Sequence, residues 1–138
     1  MGGDRAPVEI VAGAQLAAAD GIEVVLVGPR GLDTGGLELV EAPETIAMDE
    51  KPAEAVRAKP DASLVVACRA VADRRADAVV SAGNTGAMLA AGLLHLRRLP
   101  NVLRPAIAVP IPAAKSIDAH AKVLNSGWEC SGPSLVCP

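Results

Sequence analysis

The residues best suited to chemistry stand together at Ser81, Gly83, Asn84, Thr85 and Gly86, inside the run ADAVVSAGNTGAMLAAGLLHL at 76–96. Two hydroxyls, a carboxamide and two glycines are poor material for proton transfer but good material for holding an anion. Glycine lets another molecule approach the main chain and admits backbone angles that other residues resist. Asn84 and Thr85 are good N-cap types, and the run behind them is dense in helix formers. Val79 and Val80 belong to a short apolar run that suits a strand covered on both faces. The sequence therefore predicts a strand at 77–81, a small-residue turn at 82–86 and a helix opening near Thr85. Such an opening gathers unpaired N–H groups and the positive end of the helix dipole, an arrangement that suits phosphate. The spacing fits a plain strand-to-helix turn equally well. Asn84 also has two readings, a helix cap or a donor to an oxyanion, and capping is the commoner use.

The elements that must position this turn can be read in chain order. Met1 to Asp4 lead into Pro7, a favoured first-turn residue. Pro7, Ile10, Val11, Ala14 and Ala17 or Ala18 form one apolar stripe at helical spacing, and Gly21 is a natural left-handed stop. Residues 22–27 (IEVVLV) predict the first clear strand, and GPRG at 28–31 reads as a turn, being only half of a dinucleotide fingerprint. Residues 37–40 predict a shorter strand. Residues 53–59 predict a short helix that Pro60 ends. A stronger helix starts at Asp61 or Ser63, with Leu64, Val65, Cys68, Val71 and Ala72 on one side and Arg69, Asp73 and Arg74 on the other. Residues 106–109 predict a further strand. Strands alternating with helices predict an α/β domain, three layers around a mostly parallel sheet, with 22–27 and 77–81 as neighbours or near neighbours. Ligands of such sheets bind at the carboxyl ends of strands, where Ser81 to Gly86 lie.

Composition narrows the classes. A chain of 138 residues makes one domain, with 51% hydrophobic residues for a core and 21% charged residues. The net charge of −3 is spread without a basic block, which argues against nucleic acid. There is no Phe or Tyr and a single Trp, so stacking of bases is unavailable. The start shows no secretory leader, and the longest apolar run, 86–94, is too short to span a bilayer. The cytoplasm is the expected location. Cys68, Cys130 and Cys137 make no metal or disulfide framework, and His120 has only Asp118 near it, so no metal is expected. His95 reads as a polar residue at a helix end.

Four runs carry a family resemblance: MGGDRAP at 1–7, MDEKPAEAVRAK at 48–59, ADAVVSAGNTGAMLA at 76–90 and RPAIAVPIP at 104–112. Together they resemble the N-terminal part of the PlsX family of bacterial phosphate acyltransferases. The resemblance implies a Rossmann-like three-layer α/β/α fold of the isocitrate/isopropylmalate-dehydrogenase type. It implies transfer of a fatty acyl group from acyl carrier protein to inorganic phosphate, giving acyl phosphate for phospholipid synthesis. It implies a homodimer without cofactor or metal, peripheral at the inner face of the cytoplasmic membrane. Gly2, Gly3 and Asp4 match the family's first loop and should approach the same substrate end as Ser81 to Gly86. Arg57, Lys59 and Ser63 match a basic and hydroxyl stretch, interrupted here by Pro60 and Ala62, and Arg57 reads as solvated charge. After Pro112 the family pattern is lost, and residues 113–138 read as an atypical tail, from a shifted reading frame, a misassigned gene end or divergence. Two other functions fit the same residues: an acetyl- or butyryl-phosphate-forming enzyme using coenzyme A thioesters, and a non-catalytic fragment acting through protein association.

Overall fold

A computed structural model describes residues 2–3 and 5–102. One unit ends at Arg97 and a second begins at Arg98; the account below concerns the first.

Helix α1 spans Val8–Ala19. Its half-buried residues are Ile10, Val11, Ala14, Ala17 and Ala18, the stripe that helical spacing predicts, while Pro7 is exposed. Gly21 takes φ +87°. Its N–H donates to the Ala18 carbonyl at 3.0 Å and that of Ile22 to Ala17 at 3.1 Å. This double closure satisfies carbonyls that the helix end would leave bare, and only a residue tolerant of left-handed φ makes it cheaply.

Strands β1 (Val25–Gly28) and β2 (Glu38–Glu41) pair in parallel, Val25 opposite Glu38 and Gly28 opposite Glu41. Both are shorter than or shifted from the predicted 22–27 and 37–40, because only the paired residues hold strand geometry. Parallel strands usually need a helical crossover. Here residues 29–37 return the chain directly, through left-handed Gly31, Gly35 and Gly36. Asp33 Oδ1 accepts from the Gly35 N–H at 3.1 Å and fixes that turn. The GPRG segment is thus a turn, as its residues predict.

Helices α2 (Pro52–Ala58), α3 (Ser63–Ala72) and α4 (Thr85–His95) build the core. Helix α4 packs on both α2 and α3, and α3 packs on β1. Leu64, Val65 and Cys68 are buried as the α3 stripe predicts, while Ala72 is exposed. Ile46, Ala55, Val56, Ala62, Ala87 and Ala91 complete the cluster. Four of these are alanines, so the helices approach closely and little volume is left to fill. Burial pushes the Cys68 thiol above its ordinary pKa, which keeps it protonated and unreactive.

The predicted strand at 77–81 does not form. Among the described residues the sheet has two strands, β1 and β2, and 77–81 belongs to neither. Val79 packs against the core, but Val80 is 96% exposed, so the segment is not covered on both faces. A strand exists only as a member of a ladder, and valines raise its propensity without supplying the partner. The described residues therefore form an α/β unit with a small parallel sheet and four helices. The strand predicted at 106–109 and the tail at 113–138 lie outside the described residues.

Val65 and Val80 should accordingly respond oppositely to truncation. Val65→Ala should lower the unfolding free energy by about 1–3 kcal/mol, a buried-methyl and cavity effect. Val80→Ala should stay within about 0.5 kcal/mol of the parent. Urea unfolding followed by circular dichroism measures both, and equal losses would show that Val80 is covered.

Candidate functional site

Asn84 is the residue from which the site is built. Only 6% exposed, it caps α4: its Oδ1 accepts from the Ala87 N–H at 3.0 Å, and its own carbonyl accepts from the Met88 N–H at 2.9 Å. Its Nδ2 faces the other way. That nitrogen donates to the carbonyls of Ala47 at 3.0 Å and of Met48 and Glu50 at 3.3 Å. One side chain therefore fixes both the opening of α4 and the loop before α2. With oxygen and nitrogen so engaged, Asn84 takes the cap reading, and its amide is turned toward the loop rather than offered as an oxyanion donor.

The loop is braced from its other side by Glu50. Its Oε1 accepts from the Ala47 N–H and from Lys59 Nζ, each at 2.7 Å, and Lys59 Nζ also donates to the Thr45 carbonyl at 3.1 Å. The Lys59 hydrogen bond, helped by the Ala47 N–H, holds the Glu50 carboxyl below its usual range. Lys59 thus belongs to a brace, Arg57 is exposed, and Ser63 is buried with its N–H donating to the Glu44 carbonyl at 2.9 Å.

Gly2 and Gly3 of the first loop come close to the pivot. A Cβ added to Gly2 would fall 2.6 Å from Gly83 Cα, and one on Gly3 would fall 3.3 Å from Ala82 Cβ. Between these loops lies a cleft of about 310 Å³, lined by Gly2, Gly3, Thr45, Ile46, Ala47, Met48 and Gly83. Asp4 lies outside the described residues. Ser81 Oγ accepts from the Gly83 N–H at 3.2 Å, which closes a small turn and leaves the hydroxyl proton for another acceptor. Ser81 and Thr85 are exposed. At the opening of α4 the Thr85 and Gly86 N–H groups have no acceptor among the described residues, while those of Ala87 and Met88 are taken by Asn84.

The pivot glycines serve close approach rather than special angles. Neither Gly83 nor Gly86 has positive φ; Gly3, Gly21, Gly31, Gly35 and Gly36 do. A Cβ on Gly86 would lie 2.6 Å from Pro52 Cγ and 3.1 Å from Pro52 Cβ. Its missing side chain makes room for the start of α2. A branched residue at 86 would strike Pro52 before it crowded any ligand.

Sequence reasoning passed over Glu50, Pro52 and the carbonyls of 47–50. The run MDEKPAEAVRAK contains them, but a carbonyl has no residue type to read. His95, at the end of α4, has its Nε2 buried without a partner among the described residues. Burial and the nearby Arg69 charge push its pKa down, so it stays neutral there. Among the described residues no cluster of His, Cys, Asp and Glu could hold a metal ion, and no helix is long and apolar enough to cross a membrane.

Comparison with known proteins places this geometry in a class. The chain belongs to the family described as fatty acid synthesis proteins, the PlsX family, whose model matches residues 1–126. That match runs past residue 112 into the stretch read as an atypical tail. Proteins named phosphate acyltransferase are similar to it. That of Desulforamulus reducens is 45% identical over 137 residues, 89% of this chain and 41% of the relative. That of Levilactobacillus brevis is 45% identical over 132 residues, 90% of this chain and 38% of the relative. That of Endomicrobium trichonymphae is 48% identical over 142 residues, 92% of this chain and 41% of the relative. The chain spans about two-fifths of the length of these relatives.

Two outcomes test the brace. Asn84→Asp keeps a good cap but replaces the Nδ2 donor with an oxygen facing three carbonyls. It should lower stability by about 1–3 kcal/mol, the effect of leaving buried acceptors unpaired; denaturation midpoints equal to the parent's would show that those contacts contribute nothing. Glu50 supplies the pH dependence. Its folded pKa is depressed, so its contribution is complete above the ordinary value of 4.5 and is lost as pH falls through the lower folded value. Thermal midpoints of the parent should exceed those of Glu50→Gln near pH 7, with the gap closing in acid below that ordinary value. A gap that widens in acid would reverse the sign.

Proposed function

We propose that this chain supplies the phosphate-holding part of a phosphate acyltransferase that moves a fatty acyl group from acyl carrier protein to inorganic phosphate. Acyl phosphate is the product, an acyl donor for phospholipid synthesis. The observation that carries the reading is the pair of N–H groups at Thr85 and Gly86 that have no acceptor among the described residues, close to a cleft lined by Gly2, Gly3 and Gly83, in a chain 45% identical to a phosphate acyltransferase.

In the reaction a phosphate oxygen attacks the thioester carbonyl carbon. The new C–O bond forms, the C–S bond breaks, and the thiolate leaves with the pair of electrons and takes up a proton. No electron is gained or lost overall. Phosphate must be held by some of its oxygens with one left free to attack. The Thr85 and Gly86 N–H groups and the hydroxyls of Ser81 and Thr85 are such donors, with Gly2, Gly3 and Gly83 forming the surrounding wall. Asn84 is a positioning residue, since it aims the α4 opening without reaching the anion. Holding both reactants in line can remove several kcal/mol from the barrier. The whole enzyme is proposed as a cytoplasmic homodimer of the three-layer, Rossmann-like type, peripheral to the inner membrane face, in which 77–81 gains the strand partners it lacks here.

Thr85→Pro separates the phosphate reading from a mere packing turn. Proline suits the first helical position, and Asn84 already has φ −58° and ψ 110°, the geometry that a residue before proline prefers. The variant should therefore fold and lose one N–H donor together with the hydroxyl, while Thr85→Ala loses the hydroxyl alone. Millimolar phosphate should shift the amide signals of Asn84, Thr85 and Gly86 in the parent and in Thr85→Ala. In Thr85→Pro the Gly86 shift should need about tenfold more phosphate, as for a hydrogen bond to a charged group. Unchanged affinity would make the pivot a packing turn. Donor choice is tested by offering acyl carrier protein and coenzyme A thioesters in parallel and trapping acyl phosphate with hydroxylamine. Phosphate-dependent product from the carrier-protein thioester is expected.

A further inference from the structure

Met48 combines a held main chain with an exposed side chain. Its main chain is pinned, because its carbonyl accepts from the buried Asn84 amide at 3.3 Å. Its side chain is nevertheless 64% exposed. It lines the cleft with Ile46 and Ala47, opposite Gly2, Gly3 and Gly83. The next residues after Gly83 are the cap and the N–H groups of α4 that have no acceptor among the described residues. On the phosphate reading, the cleft has an apolar side that leads toward an anion-holding end.

We propose that Met48 is the residue that contacts the alkyl chain of the acyl group as its carbonyl is presented to phosphate. This rests on the phosphate reading and extends it to the second substrate. A thioether side chain is unbranched and adaptable, so it follows an alkyl chain without demanding one shape. An exposed methionine held in place gains by covering apolar surface, and the ordering of its backbone has already been met by Asn84. Glycines across the cleft leave width for a chain to lie against it. The Glu50–Lys59 brace sits behind the loop, so the wall that Met48 stands on is fixed from two sides.

The test uses two stable probes with one headgroup, methylphosphonate and octylphosphonate. The chain has three methionines, Met1, Met48 and Met88, and methyl-labelled methionine gives each a separate signal. Octylphosphonate should shift the Met48 methyl and the Gly86 amide together, while methylphosphonate shifts only the amide. Met88, half-buried against the core, should not respond. Met48→Ser should bind octylphosphonate about fivefold more weakly than the parent, from loss of one apolar contact surface, and bind methylphosphonate equally. Met48→Leu should restore the preference, which a general loosening of the loop would not allow. If octylphosphonate moves the Gly86 amide but not the Met48 methyl, the inference fails and the phosphate reading stands. If Met48 responds and the amides do not, the phosphate reading fails and the inference that rests on it fails too. If neither responds, both are wrong.

Discussion

A single carboxamide holds the site together. Asn84 is small, uncharged and buried, and it serves four backbone groups at once, one N–H through its oxygen and three carbonyls that share the two hydrogens of its nitrogen. Only a carboxamide can do this. Asp and Ser could cap α4, but neither presents a donor and an acceptor on opposite arms of one plane. The loop at 47–50 has no strand or helix of its own; the Ala47 carbonyl also accepts from the Glu50 N–H at 3.4 Å, and Asn84 is the partner of those of Met48 and Glu50. The opening of α4 and the loop therefore move as one piece.

Close approach is the second constraint, and it explains the composition. The core is alanine-rich, and helices α2, α3 and α4 meet where side chains are smallest. Gly86 gives way to Pro52, and Gly2 to the backbone at Gly83. The first lets the Pro52 ring sit against the opening of α4, and the second brings main chain near main chain beside the cleft. The absence of Phe and Tyr belongs to the same economy of volume. Small side chains bury less apolar surface each, so stability must come from tight fit over many contacts.

What could be read from the sequence follows the physics of each signal. The α1 stripe and its glycine stop, the turn at 28–31, the buried stripe of α3 and the cap at Asn84 all depend on local geometry, and all are legible. The strand at 77–81 depends on a partner, and Val79 and Val80 carry no information about whether one lies beside them. The glycines of the pivot were readable as places of close approach, but not what approaches; Pro52 is distant in sequence. Lys59 was visible as a charge, while its pairing with Glu50 emerges only once α2 turns the loop back on itself. The carbonyls that Asn84 grips leave no trace in residue types.

The orientation of those three carbonyls has an electrostatic consequence. Each peptide dipole at 47, 48 and 50 points its negative end toward Asn84, and left bare these oxygens would set up a repulsive potential beside the α4 opening. The amide cancels that field with a neutral group whose charge distribution does not change with pH. On the proposed phosphate reading, an anion arriving at Thr85 and Gly86 would meet the positive end of α4 with the opposing dipoles already quenched. The attraction would then be fixed at folding rather than assembled when the ligand comes.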